Sequence, residues 1–116
     1  MTDVTSNGAT QRELEINHYQ NLIKLGESLE RLERNRDFKR VIREHLLSEE
    51  PARLISLRMS PEISMNANLV SRVEEQLRAI GVLTNWIDST LTEAQRAKEA
   101  LEDLYAEDAE AETVAE

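Results

Sequence analysis

The feature that most constrains the fold of this chain is a long run of mainly apolar positions spaced alternately three and four residues apart. Its members are Val70, Val73, Leu77, Ile80, Thr84, Ile87, Leu91, Ala94, Lys98, Leu101 and Tyr105. Heptad spacing over five repeats, with the two polar lapses Thr84 and Lys98, predicts one amphipathic helix from about residue 68 to 106. Gly81 and two internal capping boxes weaken the middle of this helix, so a break near residues 88–92 stays open.

A second long helix is predicted near the N-terminus. Thr10 and Glu13 form a capping box, and apolar residues follow at spacings of three and four. These are Tyr19, Leu22, Leu25 or Gly26, Leu29 and Leu32. The pattern predicts a helix over about residues 10–34, which ends where Asn35 can break it and cap the next one.

Two shorter helices are predicted between the long ones, over about residues 35–47 and 49–59. The first carries an i, i+3, i+4, i+7, i+8 stripe made of Phe38, Val41, Ile42, His45 and Leu46. Ser48 is the expected cap of the second, with Pro51 in its first turn. Because Ser60 precedes Pro61, it disfavours helical backbone, so residues 60–67 should form a turn or a single helical turn.

Composition agrees with these patterns. The chain has 116 residues, with three glycines, two prolines and four aromatic side chains, which lacks the punctuation of a β-rich fold. We therefore predict an all-α fold, an elongated helical hairpin resembling a coiled coil with two short intervening helices. Residues 1–9 should form a disordered arm, residues 10–106 a single helical domain, and residues 107–116 a disordered acidic tail.

Charge is strongly segregated along the chain. The net charge is −9, and residues 99–116 contain eight acids and no Lys or Arg, so residues 1–98 carry only −1. Within them, residues 31–43 hold six basic side chains against two acids. We name Arg36, Lys39, Arg40 and Arg43 the basic strip, because α-helical spacing puts them on one face away from the apolar stripe.

The basic strip has several readings. It fits a phosphate backbone, an acidic protein partner, the acidic tail of another copy, or a solvated helix face. An acidic pI of about 4.8 and the lack of interleaved aromatic residues count against nucleic acid. We therefore do not expect nucleic acid as the partner. A match between the strip and a tail would be weak and sensitive to salt.

Catalytic and metal chemistry find little support. There is no cysteine, Gly-rich loop or nucleophile elbow. Glu15-x-x-His18 matches only half of a di-iron motif, and His45 directly follows Glu44 instead of completing it. We predict a non-enzymatic protein with no catalytic residues, metal ligands or cofactor.

The sequence has no secretory signal pattern at its N-terminus and no apolar run of membrane-spanning length. We expect a protein that is not secreted and does not enter a membrane.

Interaction is the function that the patterns favour. A thin hairpin has a small core, so a heptad seam on a long helix favours a partner. The seam residues on which we base this are Leu22, Leu25, Leu29, Leu32, Val70, Val73, Leu77, Ile80, Ile87 and Leu91. Trp86, between seam positions, is read with equal weight as seam-edge packing or as an interface anchor.

The stretch from Leu29 to Leu57 resembles a group of small helical proteins of tailed bacteriophages. The similar parts are Leu29-x-x-Leu32, the segment Asn35 to Ile42, and Glu50 to Leu54, followed by a long helix with an acidic end. The resemblance spans roughly residues 14–110. Proteins of that group are encoded near portal and capsid genes, which implies a virion or head-assembly component in the virion or the cytoplasm of the infected host cell. The resemblance assigns no functional residues.

Three hypotheses follow. The leading one is a helical structural or assembly protein that forms a homo-oligomer and docks on a larger protein, such as a portal or capsid protein. The second is a small acidic regulator that inhibits a nucleic-acid enzyme. It would need the tail charges in a fixed array, whereas the tail sequence indicates flexibility. The third is a nucleic-acid-binding module that uses the basic strip.

Overall fold

The computed structural model describes the backbone of residues 7–115 and the side chains of residues 11–111. Five α-helices and one π-helix account for nearly all of the described chain: α1 Asn7–Arg34, α2 Arg36–Phe38, the π-helix Lys39–Glu49, α3 Glu50–Met59, α4 Pro61–Ser64 and α5 Ala67–Ala115. No strand occurs in residues 7–115. The predicted all-α class is confirmed.

The predicted breaks between helices follow from local backbone chemistry. Asn35 has extended backbone angles, and its side-chain oxygen accepts a hydrogen bond from the Phe38 amide at 3.0 Å, which confirms it as an N-cap. Ser60 is extended before Pro61, and α4 is the single turn expected there. Asn66, which was not predicted as a cap, accepts from the amides of Asn68 and Leu69 and begins α5.

The segment after Asn35 differs from its prediction, because most of it is a π-helix and no cap separates it from α3. Ser48 lies inside the π-helix, and Glu49 and Glu50 keep helical backbone angles. The Glu50 amide donates to the His45 carbonyl, five residues back. In an α-helix the Pro51 ring would clash with the carbonyl four residues earlier, and a wider turn before it relieves that clash.

Both long helices extend beyond their predicted ends. α1 begins at Asn7 instead of Thr10, and residues 1–6 of the predicted arm lie outside the described residues. α5 runs without interruption through residues 88–92 and on to Ala115, where a disordered tail was predicted from residue 107. The tail is rich in Ala and Glu, which are strong helix formers, so helix continues without an apolar pattern.

The chain divides into two compact units. The first unit contains α1 up to Leu29 and α5 from Thr90 onward. Arg12 pairs with Asp108 and also donates to the Leu104 carbonyl, while Gly26 lies against Ala94. Each step forward on α1 is matched by a step back on α5, so the helices are antiparallel. Ala94 and Ala97 are buried in this unit.

The second unit comprises residues 30–89. Here the π-helix and α3 lie beside α5. Arg58 binds Glu74 at 2.8 Å, while Leu46 and Leu54 line one groove with Ala79 and Ile80. Leu54, Val73 and Ile87 are its buried apolar residues. The intervening helices therefore pack against α5 as a third segment of this unit.

Candidate functional site

The α1 part of the seam divides between two environments. Leu29 is buried and Leu22 half-buried, while Leu25 and Leu32 are exposed by 46% and 48%. The inward positions of α1 are instead Tyr19, Ile23, Gly26 and Leu29, of which Gly26 is buried. The sequence left open whether Leu25 or Gly26 is the inward residue of α1. It is Gly26, because its close contact with Ala94 leaves no room for a side chain.

The exposed leucines of α1 lie on one stripe of the helix. Leu14, which is 61% exposed, begins it, and Leu25 and Leu32 follow. Positions 14, 18, 21, 25, 28 and 32 repeat at gaps of four and three, with His18, Asn21 and Ser28 as the polar members. We call this set the α1 stripe. It has the spacing of a coiled-coil seam.

The α5 part of the seam is directed inward within the chain. Val73 and Ile87 are buried, and Val70, Leu77, Ile80 and Leu91 are half-buried. Thr84, the first lapse, donates from its hydroxyl to the Ile80 carbonyl at 3.0 Å, which satisfies it inside the pattern. Towards the end the inward positions shift by one, so Ala97 and Leu104 replace Lys98 and Tyr105 as the more buried neighbours.

Three members of the basic strip form an exposed group. Arg36, Lys39 and Arg40 are exposed, and no ion pair among residues 11–111 joins any of them to an acid. Asp37 and Glu44 are the exposed acids nearest in sequence. We call Arg36, Lys39 and Arg40 the cationic triplet.

Arg43, the fourth member of the strip, is not part of the exposed group, which corrects the prediction. Its guanidinium lies 2.6 Å from a Glu33 oxygen and 3.3 Å from an Asp88 oxygen, and the side chain is only 26% exposed. The hydrogen bond to Glu33, reinforced by Asp88, raises the pKa of Arg43 above its ordinary value. Arg43 therefore links Glu33 of α1 to Asp88 of α5 inside the second unit, and its charge is already paired within the chain.

The predicted apolar stripe of residues 38–46 is also rearranged. Phe38, Ile42 and Leu46 are half-buried, but Val41 and His45 are exposed and Leu47 joins the inward side. The wider π-turn changes which residues align, so α-helical spacing selects two wrong positions. His45 binds Glu49 at 2.9 Å and lies 3.8 Å from Glu50. A shallow depression of about 380 Å³ lies among Arg40, Val41, Glu44, His45 and Glu49.

A second open groove, of about 420 Å³, lies between the π-helix–α3 segment and α5. Leu46, Leu54, Ala79 and Ile80 form its apolar floor, and the polar side chains are Glu50, Arg53 and Gln76. Arg53 and Glu50 bind each other, with the Arg53 Nε 2.6 Å from a Glu50 oxygen. The two charged side chains that line the groove, Glu50 and Arg53, are therefore paired with each other.

Trp86 is 53% exposed, and Val82, four residues earlier, is 63% exposed. With the exposed Ala79, they form an apolar stripe on α5 at helical spacing. The exposure disfavours tight packing of Trp86 at the edge of the seam. The other interpretation, that Trp86 is an interface anchor, stays a hypothesis.

The helical end of α5 arranges its acids on one side. Glu99, Glu102, Asp103, Glu107 and Glu110 are exposed, whereas Ala94, Ala97, Leu101 and Leu104 are buried or half-buried. At 100° per residue, these acids lie on the side away from the inward positions. Asp108 is the exception, because it pairs with Arg12. We call the five exposed acids the acidic ridge. No ion pair of the described side chains involves them.

Among the described residues, the His, Asp and Glu side chains form no group of three or more that could hold a metal ion. In particular, Glu15 and His18 are both exposed on α1. Among the described helices, none has a segment sufficiently long and apolar to span a membrane.

The residues that sequence reasoning missed are mainly small ones. Ala97 is buried beside the seam position Lys98, and Thr90 is buried beside Leu91. Leu54, the most buried of the described side chains, was named only as the end of the stretch from Glu50 to Leu54. Small residues recurring next to a seam were the available signal, since they allow helices to approach closely.

Comparison of the chain with models of known protein families, with curated proteins and with solved structures found no match. The geometry of the surfaces therefore carries the functional argument.

Proposed function

We propose that this protein is a non-enzymatic helical assembly protein that pairs with a second copy through the α1 stripe. The observation that carries the proposal is the row of exposed leucines at positions 14, 25 and 32. These leucines have heptad spacing, and they lie on a different side of α1 from the one that packs within the chain. A stripe of this kind is self-complementary, because a two-fold axis places the same residues opposite each other.

The expected strength of this contact is modest. Six leucines in a dimer, each about half exposed beforehand, gain about 1 kcal/mol apiece on burial. Association costs several kcal/mol, and the polar members His18, Asn21 and Ser28 add nothing to the apolar contact. The pairing should therefore be concentration-dependent, as expected of a subunit that associates fully only in an assembly.

The primary test is solution mass by light scattering across a concentration series. The wild-type chain should show a dimer that dissociates on dilution, and Leu25→Gln with Leu32→Gln should remain monomeric. The matched control is Val82→Gln with Met65→Gln, which removes two apolar side chains that are also exposed. A wild-type monomer at all concentrations, or a double mutant that dimerises normally, would contradict the proposal.

The resemblance to small bacteriophage proteins supports the second part of the proposal, docking on a larger portal or capsid protein in the virion or during head assembly. Trp86 with Val82 is the surface that we assign to this contact, since exposed aromatic anchors are typical of binding hot spots. Co-sedimentation with purified portal or capsid particles should decrease at least tenfold for Trp86→Ala, while the Leu25/Leu32 variant retains some binding. Equal sedimentation of wild type and Trp86→Ala would remove this role.

One observation favours the acidic regulator as a second candidate. The objection to it was flexibility of the tail, and the helix to Ala115 places the acidic ridge on a regular scaffold. A fixed row of acids can compete with phosphates for a basic groove. A regulator would stay a discrete monomer and displace DNA from one basic protein, with loss of displacement on reversal of ridge charges. Self-association without such displacement would leave the assembly protein.

A further inference from the structure

We propose that the cationic triplet of one copy binds the acidic ridge of a second copy, as a contact separate from the α1 stripe. This inference rests on the proposed function, since it specifies how copies meet beyond the apolar pairing. It rests on the opposite charges of the two surfaces and on their form.

The two surfaces are complementary in charge and are unsatisfied within the chain. Arg36, Lys39 and Arg40 are exposed without an ion pair among the described side chains, and the same holds for the five acids of the ridge. Some charges elsewhere are paired within the chain, as Arg43 is with Glu33 and Arg58 with Glu74. Residues 99–116 contain no Lys or Arg that would neutralise the ridge locally.

The surfaces also match in form. Both are exposed faces of helices, and the ridge from Glu99 to Glu110 extends about 16 Å along α5 at 1.5 Å per residue. Val41 is exposed beside Arg40, and Tyr105 is exposed in the acidic end of α5, so each surface has an apolar side chain near it. The depression beside Arg40 also has the acids Glu44 and Glu49 in its lining.

The contact differs from the α1 stripe because its two surfaces are different from each other. They can pair reciprocally in a closed two-fold dimer or head-to-tail through successive copies. Together with a two-fold pairing on α1, either arrangement would allow higher-order assembly. Because both surfaces are exposed, the triplet–ridge contact should weaken strongly as salt is added, whereas the apolar pairing should persist.

Charge reversal with complementation tests the proposal. The triplet variant is Arg36→Glu, Lys39→Glu and Arg40→Glu, and the ridge variant is Glu99→Lys, Asp103→Lys and Glu110→Lys. Each alone should lose the salt-sensitive part of association, about tenfold in affinity for three exposed pairs at low salt. An equimolar mixture of the two variants should recover it, because the reversed triplet of one fits the reversed ridge of the other.

The matched controls reverse equal charge elsewhere. The cation control is Arg72→Glu with Arg78→Glu and Arg96→Glu, and the acid control is Glu62→Lys with Glu75→Lys and Glu93→Lys. All six side chains are exposed, and none of them forms an ion pair among the described side chains. The controls should associate like wild type. Circular dichroism of every variant verifies that the helices are retained.

The outcomes separate this inference from the proposed function. Dimers that resist salt and charge reversal, but require Leu25 and Leu32, would overturn the triplet–ridge contact and keep the assembly protein. A mixture that recovers no association, or controls that lose as much as the variants, would also overturn it. A wild-type monomer at every concentration and salt would overturn both.

Discussion

The two units of this chain are built from the same long helices but packed by different means. In the first unit, α1 and α5 approach so closely that Gly26 lies against Ala94, and the buried residues of its part of α5 are the small Thr90, Ala94 and Ala97. In the second, branched and larger side chains such as Leu54 and Ile87 fill the interior. Small residues gain stability through backbone proximity, whereas large residues gain it through buried apolar area. Larger side chains should therefore destabilise the first unit, and smaller side chains should destabilise the second.

The largest effect should come from removing volume in the second unit. Leu54 is 1% exposed, so Leu54→Ala loses both transfer free energy and packing, and should lower the free energy of unfolding by about 3 kcal/mol. Urea denaturation followed by circular dichroism measures this. Leu57→Ala, at a position 37% exposed, is the control and should cost less than half as much. Equal costs would mean that Leu54 is not a packing centre.

Adding volume in the first unit should have the next largest effect. A Cβ on Gly26 would overlap the Ala94 Cβ, so Gly26→Ala should cost about 2 kcal/mol despite better helix propensity. The same denaturation experiment applies. Combining it with Ala94→Gly should recover part of the loss, because the overlapping methyl is removed. No recovery would refute the close approach.

The ion-pair centre of the second unit should contribute less. Arg43→Met keeps the apolar stem and removes the bonds to Glu33 and Asp88, so the free energy of unfolding should fall by about 1 kcal/mol. Since the pKa of Arg43 is raised, its contribution is complete below the ordinary arginine pKa. It is lost only as pH rises past the folded value, which makes salt the practical probe. Arg40→Met, at an exposed unpaired position, should change nothing measurable.

The smallest effect, with the opposite sign, should come from Gly81. It also lies inside α5, but a Cβ there would meet nothing within 4 Å. Gly81→Ala should therefore raise the free energy of unfolding by about 0.8 kcal/mol through helix propensity alone. A thermal melt that rises for Gly81→Ala and falls for Gly26→Ala would establish the contrast between the two glycines. A fall for both would show that Gly81 is constrained by something beyond its own chain.

The sequence predicted the helices better than it predicted which charged residues are free on the surface. Asn35 and the Ser60–Pro61 pair mark helix boundaries because side-chain capping and proline sterics act within a few residues. Glu33 and Asp88, however, meet Arg43 from positions 10 and 45 residues away. No local pattern reveals such a pairing, so the basic strip was assigned one member too many.

What the sequence by itself determined is the all-α fold and the phase of α5 as far as Ala94, because a heptad pattern of apolar residues fixes which side of a helix is inward where it packs. Only the tertiary structure decided which side of α1 packs, since Leu25 and Gly26 fit the spacing equally well and the proximity of Ala94 selects glycine. The π-helix before Pro51 and the helical acidic end have local causes, proline sterics and helix propensity, that the sequence already contained. The tertiary structure also decided the ion pairs of Arg43, because Glu33 and Asp88 come from distant parts of the sequence.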